Sequence, residues 1–299
     1  MDSLMILVRR NVKLFFKDKG MFFTALISPV ILFGLFLIFL GDVYRDALAA
    51  VLPVGMTVSR SATEGFVGGF LFSSLLAVSC VTIAFCSNMV MVEDRSRGVR
   101  NDLTISPVKP AVLALSYYLA TAFTTVSICL AALGLGFAYL AVVGWYLSVA
   151  DVILLCLDVV LLVIFGTALS SVVVFFLSTQ GQIAAVGSMV SSCYGFVCGA
   201  YMPISQFSSG IQTLISCLPG TYGTGLLRRH FMRGSLQAMA KEGVSPEAID
   251  QIVQSFDNRI YFAGRAVGEG AMYAVLGISV VILIVAYVLL NRFVKKRSK

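Results

Sequence analysis

The chain has 299 residues, of which 59% are hydrophobic and only 12% charged; its net charge is +7 and its mean hydropathy +0.94. A soluble chain carries roughly 25% charged residues, and a globular domain of this size still exposes about a quarter of its surface, so the composition excludes a soluble fold and points to an all-α polytopic membrane protein. The basic residues lie beside hydrophobic runs and not on a polar domain, which argues against nucleic acid as a partner.

Within residues 1–20, Leu4, Val8, Val12, Phe15 and Phe16 recur at steps of three and four, while Arg9, Arg10, Lys13 and Lys17 take the other face. An apolar stripe opposite a basic one predicts a helix lying in the membrane interface; the plainer alternative is a basic flank that only orients the first span. Positive charge precedes the first apolar run and no A-x-A-like site follows it, so no cleavable signal peptide is expected.

Hydropathy predicts six transmembrane helices, at about 21–41, 65–91, 111–143, 152–177, 183–200 and 270–290. The fifth is short and rich in Gly and Ser. Two spans carry small residues on one face: Gly65, Gly69, Ser73 and Ala77 in the second, and Gly187, Ser191, Gly195 and Gly199 in the fifth. Such faces let backbones approach closely, which fits packing within one subunit as well as it fits a subunit interface or a path through the membrane.

Between Gly65 and Ala150 every charge lies in the 17 residues Glu93–Lys109, with 28 uncharged residues on one side and 41 on the other. The 92–110 loop is therefore a small polar handle between two buried helices. Its mixed charges (Glu93, Asp94, Arg95, Arg97, Arg100 and Asp102) suit a polar, reversible interface; a positive anchor with no partner is the alternative. The N-terminal segment, this loop and the C-terminal tail together hold 14 of the 22 Lys and Arg residues, which places both termini in the cytoplasm of a multi-pass plasma-membrane protein.

Asp158 lies inside the fourth span, about 10 Å along the helix from Asp151 and on the same face. Intramembrane carboxylates are costly and are functional candidates. The structural alternative is an aspartate satisfied by Ser or Thr of a neighbouring helix, because no Lys or Arg in another span is placed to pair with it.

The outer segment 201–269 has two parts. Over 201–234, Pro203, Gly210, Pro219, Gly220, Gly223 and Gly225 interrupt apolar pieces too short to cross, which predicts a re-entrant element. Ser245 then reads as an N-cap, with Pro246 in the first turn and Glu247 at the positive dipole end, opening a short extracellular helix before the last span. Its apolar stripe is Ile249, Ile252, Val253 and Phe256.

No catalytic constellation or metal site is expected. His230 is the only histidine, and the chain contains neither G-x-x-x-x-G-K-[ST] nor any Gly-Lys pair. The seven cysteines lie in apolar stretches and read as small hydrophobes; a disulfide among Cys193, Cys198 and Cys217 has no support in the sequence.

Three stretches carry a resemblance. Val8-Arg9-Arg10 with Phe15-Phe16-Lys17-Asp18 looks like an elbow helix. Glu93-Asp94-Arg95, Gly98, Leu103 and Ser106-Pro107-Val108 look like a cytoplasmic coupling segment. Gly199-Ala200-Tyr201-Met202-Pro203, Leu218-Pro219 and Leu227-Arg228 look like an outer re-entrant pattern. In this order they resemble the permease subunits of the ABC type-2 exporter family. The resemblance implies two copies of this chain in lipid and two separate ATPase subunits, which bind ATP and Mg and dock on the elbow helix and the loop. Its coupling residues would be Glu93, Asp94, Arg95, Arg97, Gly98, Arg100, Asp102, Leu103 and Pro107. The implied function is ATP-driven export of a hydrophobic or amphipathic solute by a chain that is not itself an enzyme. The alternatives are an ion-coupled carrier using Asp158 and a membrane scaffold that transports nothing.

Overall fold

The computed structural model describes residues 2–52, 58–99, 103, 108–262 and 264–297. Helix α1 (Asp2–Lys17) stops at Asp18, whose carboxylate accepts the Met21 amide at 3.0 Å and caps the next helix. From there α2 (Lys19–Leu35), a π-helical turn (Phe36–Leu40) and α3 (Gly41–Val51) run on as one rod. A second rod comprises α4 (Arg60–Ser87) and α5 (Met89–Ser96), with its break at Asn88. Then follow α6 (Pro110–Val143), α7 (Val149–Phe175) and α8 (Gln180–Val197), the last two opened by reciprocal caps, Ser148 with Asp151 and Thr179 with Gln182.

A 3-10 turn (Ile204–Gln206) and α9 (Ser209–Ser216) lead into α10 (Pro219–Lys241). Helix α11 (Pro246–Ser255) begins where Ser245 accepts the Ala248 amide, as its sequence leads one to expect. A two-residue ribbon, β1 (Tyr261–Phe262) antiparallel to β2 (Arg265–Ala266), precedes the last helix, α12 (Glu269–Arg297).

Five helical stretches among the described residues are long and apolar enough to cross a membrane: Lys19–Val51, Arg60–Ser96, Ala111–Val143, Val149–Phe175 and Glu269–Asn291. The Gly- and Ser-rich α8 is not one of them. Its 18 residues still span about 27 Å, close to the thickness of a bilayer core. It lies beside α4, starting just past Leu177, whose carbonyl binds Arg95, and ending just before Gly199, whose carbonyl binds Arg228.

The bundle is built around α4, which packs on α2, α6, α7, α8 and α10 and is buried almost throughout. Both termini lie at one end of it. There Tyr287 of α12 donates to the Ala114 carbonyl at 3.4 Å, and Arg10 of α1 meets Asp94 of α5.

Residues 201–234 are less broken than their prolines and glycines imply: α10 is one continuous helix of 23 residues. Pro219 sits at its first turn, where a missing N–H costs nothing. Its tip lies deep in the bundle, sharing a cavity of about 340 Å³ with Phe165 and Leu169 of α7 and Leu283 of α12. Its far end reaches the pole opposite the termini, where Glu242 accepts the Ser59 amide at 2.7 Å. Midway, the fully buried Arg228 donates to the Gly199 carbonyl at 2.5 Å, lies 4.5 Å over the Phe70 ring and pairs with Asp257 at 3.4 Å. That clamp fixes the end of α8 and the turn after α11 to α10.

The two small-residue faces serve different ends. On α4 the face packs within the chain: a Cβ at Gly69 would stand 2.9 Å from the Phe231 carbonyl oxygen of α10. On α8 the face is more open: among the described residues nothing stands within 4 Å of a Cβ built at Gly187, Gly195 lies under the Tyr201 ring, and Gly199 follows the helix end at φ +71°. All seven cysteines are free.

This contrast is measurable. Gly69→Leu is expected to destabilise the chain by about 1–3 kcal/mol through overpacking. Gly187→Ala is expected to stabilise it by up to about 1 kcal/mol, since the helix gains a better former and the Cβ meets nothing. Thermal unfolding in lipid nanodiscs reads both.

Candidate functional site

The rod of α4 does not stop where its apolar run ends. Val90, Met91 and Val92 are buried, and Asp94 follows Val90 by four residues and Met91 by three, so the same helical face carries it inward. In α1 the buried positions are Leu7, Asn11 and Phe15, and Arg10 stands one turn on from Leu7. The two charges meet as a fork: Arg10 Nη1 donates to Asp94 Oδ2 at 2.6 Å and Nη2 to Oδ1 at 2.9 Å. Tyr117 of α6 gives Asp94 a third hydrogen bond at 2.6 Å. Chiefly through its hydrogen bond to Asp94, the pair raises the Arg10 guanidinium above its ordinary value.

One turn beyond Tyr117 on α6, Thr121 donates to the Asn88 side-chain carbonyl at 3.0 Å. The Asn88 amide in turn donates to Ser170 at 2.6 Å and Ser171 at 3.2 Å on α7. All four groups are buried. Two buried polar clusters, one helical turn apart on α6, thus link α1, α5 and α6 to the C-terminal end of α7. Arg95, beside it, donates to the Phe175 and Leu177 carbonyls at 3.0 and 2.6 Å, closing the open end of α7.

These contacts show where the residues of the expected docking set lie. Asp94 and Arg95 lie on a helix and face the bundle, because α5 prolongs α4 where a loop was expected. Arg10 belongs to the buried seam of α1 and not to its basic face. Glu93 is largely covered and pairs with Arg97 one turn on. Arg97, Arg9, Lys13 and Lys17 are exposed, as are Met5, Ile6, Leu14 and Phe16 of α1. Gly98 adopts φ +77° just after α5, and Leu103 is half-buried against the core. Arg100, Asp102 and Pro107 lie outside the described residues.

Two cavities line one side of α4. The larger, about 580 Å³, lies between Phe36 and Leu40 of the π-helical turn, Leu71 and Ser74 of α4, and Phe196 of α8. The second, about 340 Å³, lies nearer the termini between Thr24, Phe85 and Gly187. Ser191 and Ser192 border both, so they form one furrow along α8, and among the described residues no charged side chain lines either part.

Asp158 has partners unlike those expected. It is satisfied by neither Ser nor Thr: His230 Nδ1 of α10 lies 2.6 Å from Oδ2, and the Tyr273 hydroxyl of α12 donates to Oδ1 at 2.6 Å. Asp151, on the same face of α7, meets Arg233 of α10 at 3.5 Å. Sequence reasoning set His230 aside because a lone histidine cannot build a metal site. The usable signal was different: a buried carboxylate needs donors, and His230 and Tyr273 are among the few groups able to supply them inside the bundle.

A family model described as ABC-2 type transporter matches residues 2–232, from α1 to the middle of α10. No curated protein matches the chain.

The first of the two polar clusters carries its own test. Arg10→Ala strands a buried carboxylate and is expected to cost about 1–3 kcal/mol. Adding Asp94→Asn is expected to recover part of that loss, giving a coupling energy of about 0.5–3 kcal/mol in a double-mutant cycle read by thermal unfolding.

Proposed function

The chain belongs to the ABC-2 type transporter family, as a membrane permease of an ABC transporter, and from that premise we propose that it exports a hydrophobic or amphipathic solute, driven by a separate ATPase docked at the end that carries its termini. The observation that carries the proposal is the Arg10–Asp94–Tyr117 knot. A partner pressing on α1 or on the chain after α5 acts on both at once, and the Asn88 contacts pass the displacement to α7.

Two copies of the ATPase, holding ATP and Mg, would face two copies of this chain. In each copy they would grip Arg97, Gly98, Arg100, Asp102, Leu103 and Pro107 beyond α5, together with the exposed Arg9, Lys13 and Lys17. Glu93 would orient Arg97, and Asp94 and Arg95 would act from behind, as the anchor that transmits the motion. The Lys and Arg distribution supports a cytoplasmic placing of this end in the plasma membrane, with α1 at the lipid interface. In that frame α9 and the tip of α10 re-enter from outside, and α8 is the sixth crossing.

The furrow along α8 supplies the path. Apolar walls with a few hydroxyls (Ser74, Ser191, Ser192) suit an amphipathic solute better than an ion. An ion-coupled carrier has less support, since both oxygens of Asp158 are engaged and it does not line the furrow.

The test uses the chain purified with its ATPase. Amphipathic solutes are expected to stimulate ATP hydrolysis, and Ser192→Trp to abolish the stimulation. Arg97→Glu with Arg100→Glu is expected to release the ATPase without lowering the melting temperature. An ATPase that still co-purifies with the charge-reversed chain, and is still stimulated, contradicts the proposal.

A further inference from the structure

The His230 ring is fully buried and lies between two carboxylates on different helices. Nδ1 is 2.6 Å from Asp158 Oδ2 of α7, and Nε2 is 3.2 Å from Glu269 Oε1 of α12. A neutral imidazole has one N–H and one lone pair, so one of these contacts would set a lone pair against an anion; only the imidazolium donates at both. We propose that His230 is a proton-binding site, held as imidazolium by Asp158 and Glu269, and that the bound proton pins α10 to α7 and α12.

Each carboxylate already holds a second donor. Tyr273 donates to Asp158 Oδ1 at 2.6 Å, and Arg229 Nε lies 3.1 Å from Glu269 Oε2. With the imidazolium, two negative and two positive groups balance. Without the proton, the cluster holds an uncompensated negative charge in a buried place, which is costly.

The other groups around α10 do not change this balance. On α10 itself Arg228 turns to Asp257 and Arg233 to Asp151 of α7. Helix α4 carries no charge from Gly65 to its end, and its Glu64 pairs with Arg45. Helix α9 is uncharged, and on α11 Asp250 pairs with Arg259 while Glu247 lies in the first turn.

Burial alone would lower the imidazole. The hydrogen bond and charge of Asp158, followed by those of Glu269, outweigh it and raise His230 above its ordinary value, which is near 6.5. A raised folded value means that the contribution to docking is complete below about pH 6.5 and fades as the pH climbs through the folded value. Glu269 and Arg229 are partly exposed, at 28% and 36%, and give the proton a way in and out. The site stands whether or not an ATPase drives the chain.

Because His230 is the only histidine, the full chain, labelled with 15N-histidine, purified on a histidine-free tag and held in lipid nanodiscs, gives the signals of one ring. Two protonated ring nitrogens are expected at pH 7, with a titration midpoint above about 6.5. A neutral ring at pH 7, with the proton on Asp158, overturns the proposal, as does a midpoint at or below the ordinary value. The pinning is read from the melting-temperature gap between wild type and His230→Gln, which should be widest near pH 6 and close above the NMR midpoint. A gap independent of pH overturns the pinning. Should the variant fail to fold, the wild-type titration decides alone.

Discussion

The whole bundle depends on one helix that is uncharged along its buried length. From Gly65 to its end at Ser87, α4 is uncharged, and it touches α2, α6, α7, α8 and α10. Three of its buried hydroxyls are closed onto its own backbone: Ser73 donates to Phe70, Ser79 to Leu75 and Thr82 to Val78, at 2.6–3.1 Å. An apolar environment demands that internal satisfaction. The helices that are not plain spans are fastened to this rod at two places: α1 at Asp94 near its end, and α10 at Phe70 and Ser74, midway along α4, through Arg228.

Helix α7 links the regions around those two places. It carries Ser170 and Ser171, which receive the Asn88 amide, and Asp158, which meets His230. The two points are about 18 Å apart along the helix. A push on α1 and a proton on α10 thus act on one rigid element, with the furrow along α8 beside it. This connection is spatial; coupling between the two places would require α7 to have two positions that each site prefers differently.

Much of the scaffold was legible in the sequence because it is local. The charge-free runs, the Ser245 cap and the three stretches resembling ABC type-2 permeases needed no tertiary information. The partners of Arg10 and Asp158 lie 84 and 72 residues away, and no periodicity carries that pairing. Asp94 and Arg95 were misplaced because a charged run between spans reads as a loop, while the buried Val90 and Met91 carry the helix on through it. α10 was read as broken because its glycines weaken isolated helices; here two of them serve close contacts, Gly223 against Leu162 and Gly225 against Ile260.

The central claim is that α1, α5, α6 and the near end of α7 move as one body. Spin labels at Met5 and Phe176, both exposed, test it most directly by pulsed electron spectroscopy in the chain assembled with its ATPase, with Cys193 and Cys217 replaced by serine. The account predicts the same distance distribution with and without bound ATP, and a broadened one in Arg10→Ala. A wild-type distribution that shifts on ATP binding, as freely as that of Arg10→Ala, would contradict it.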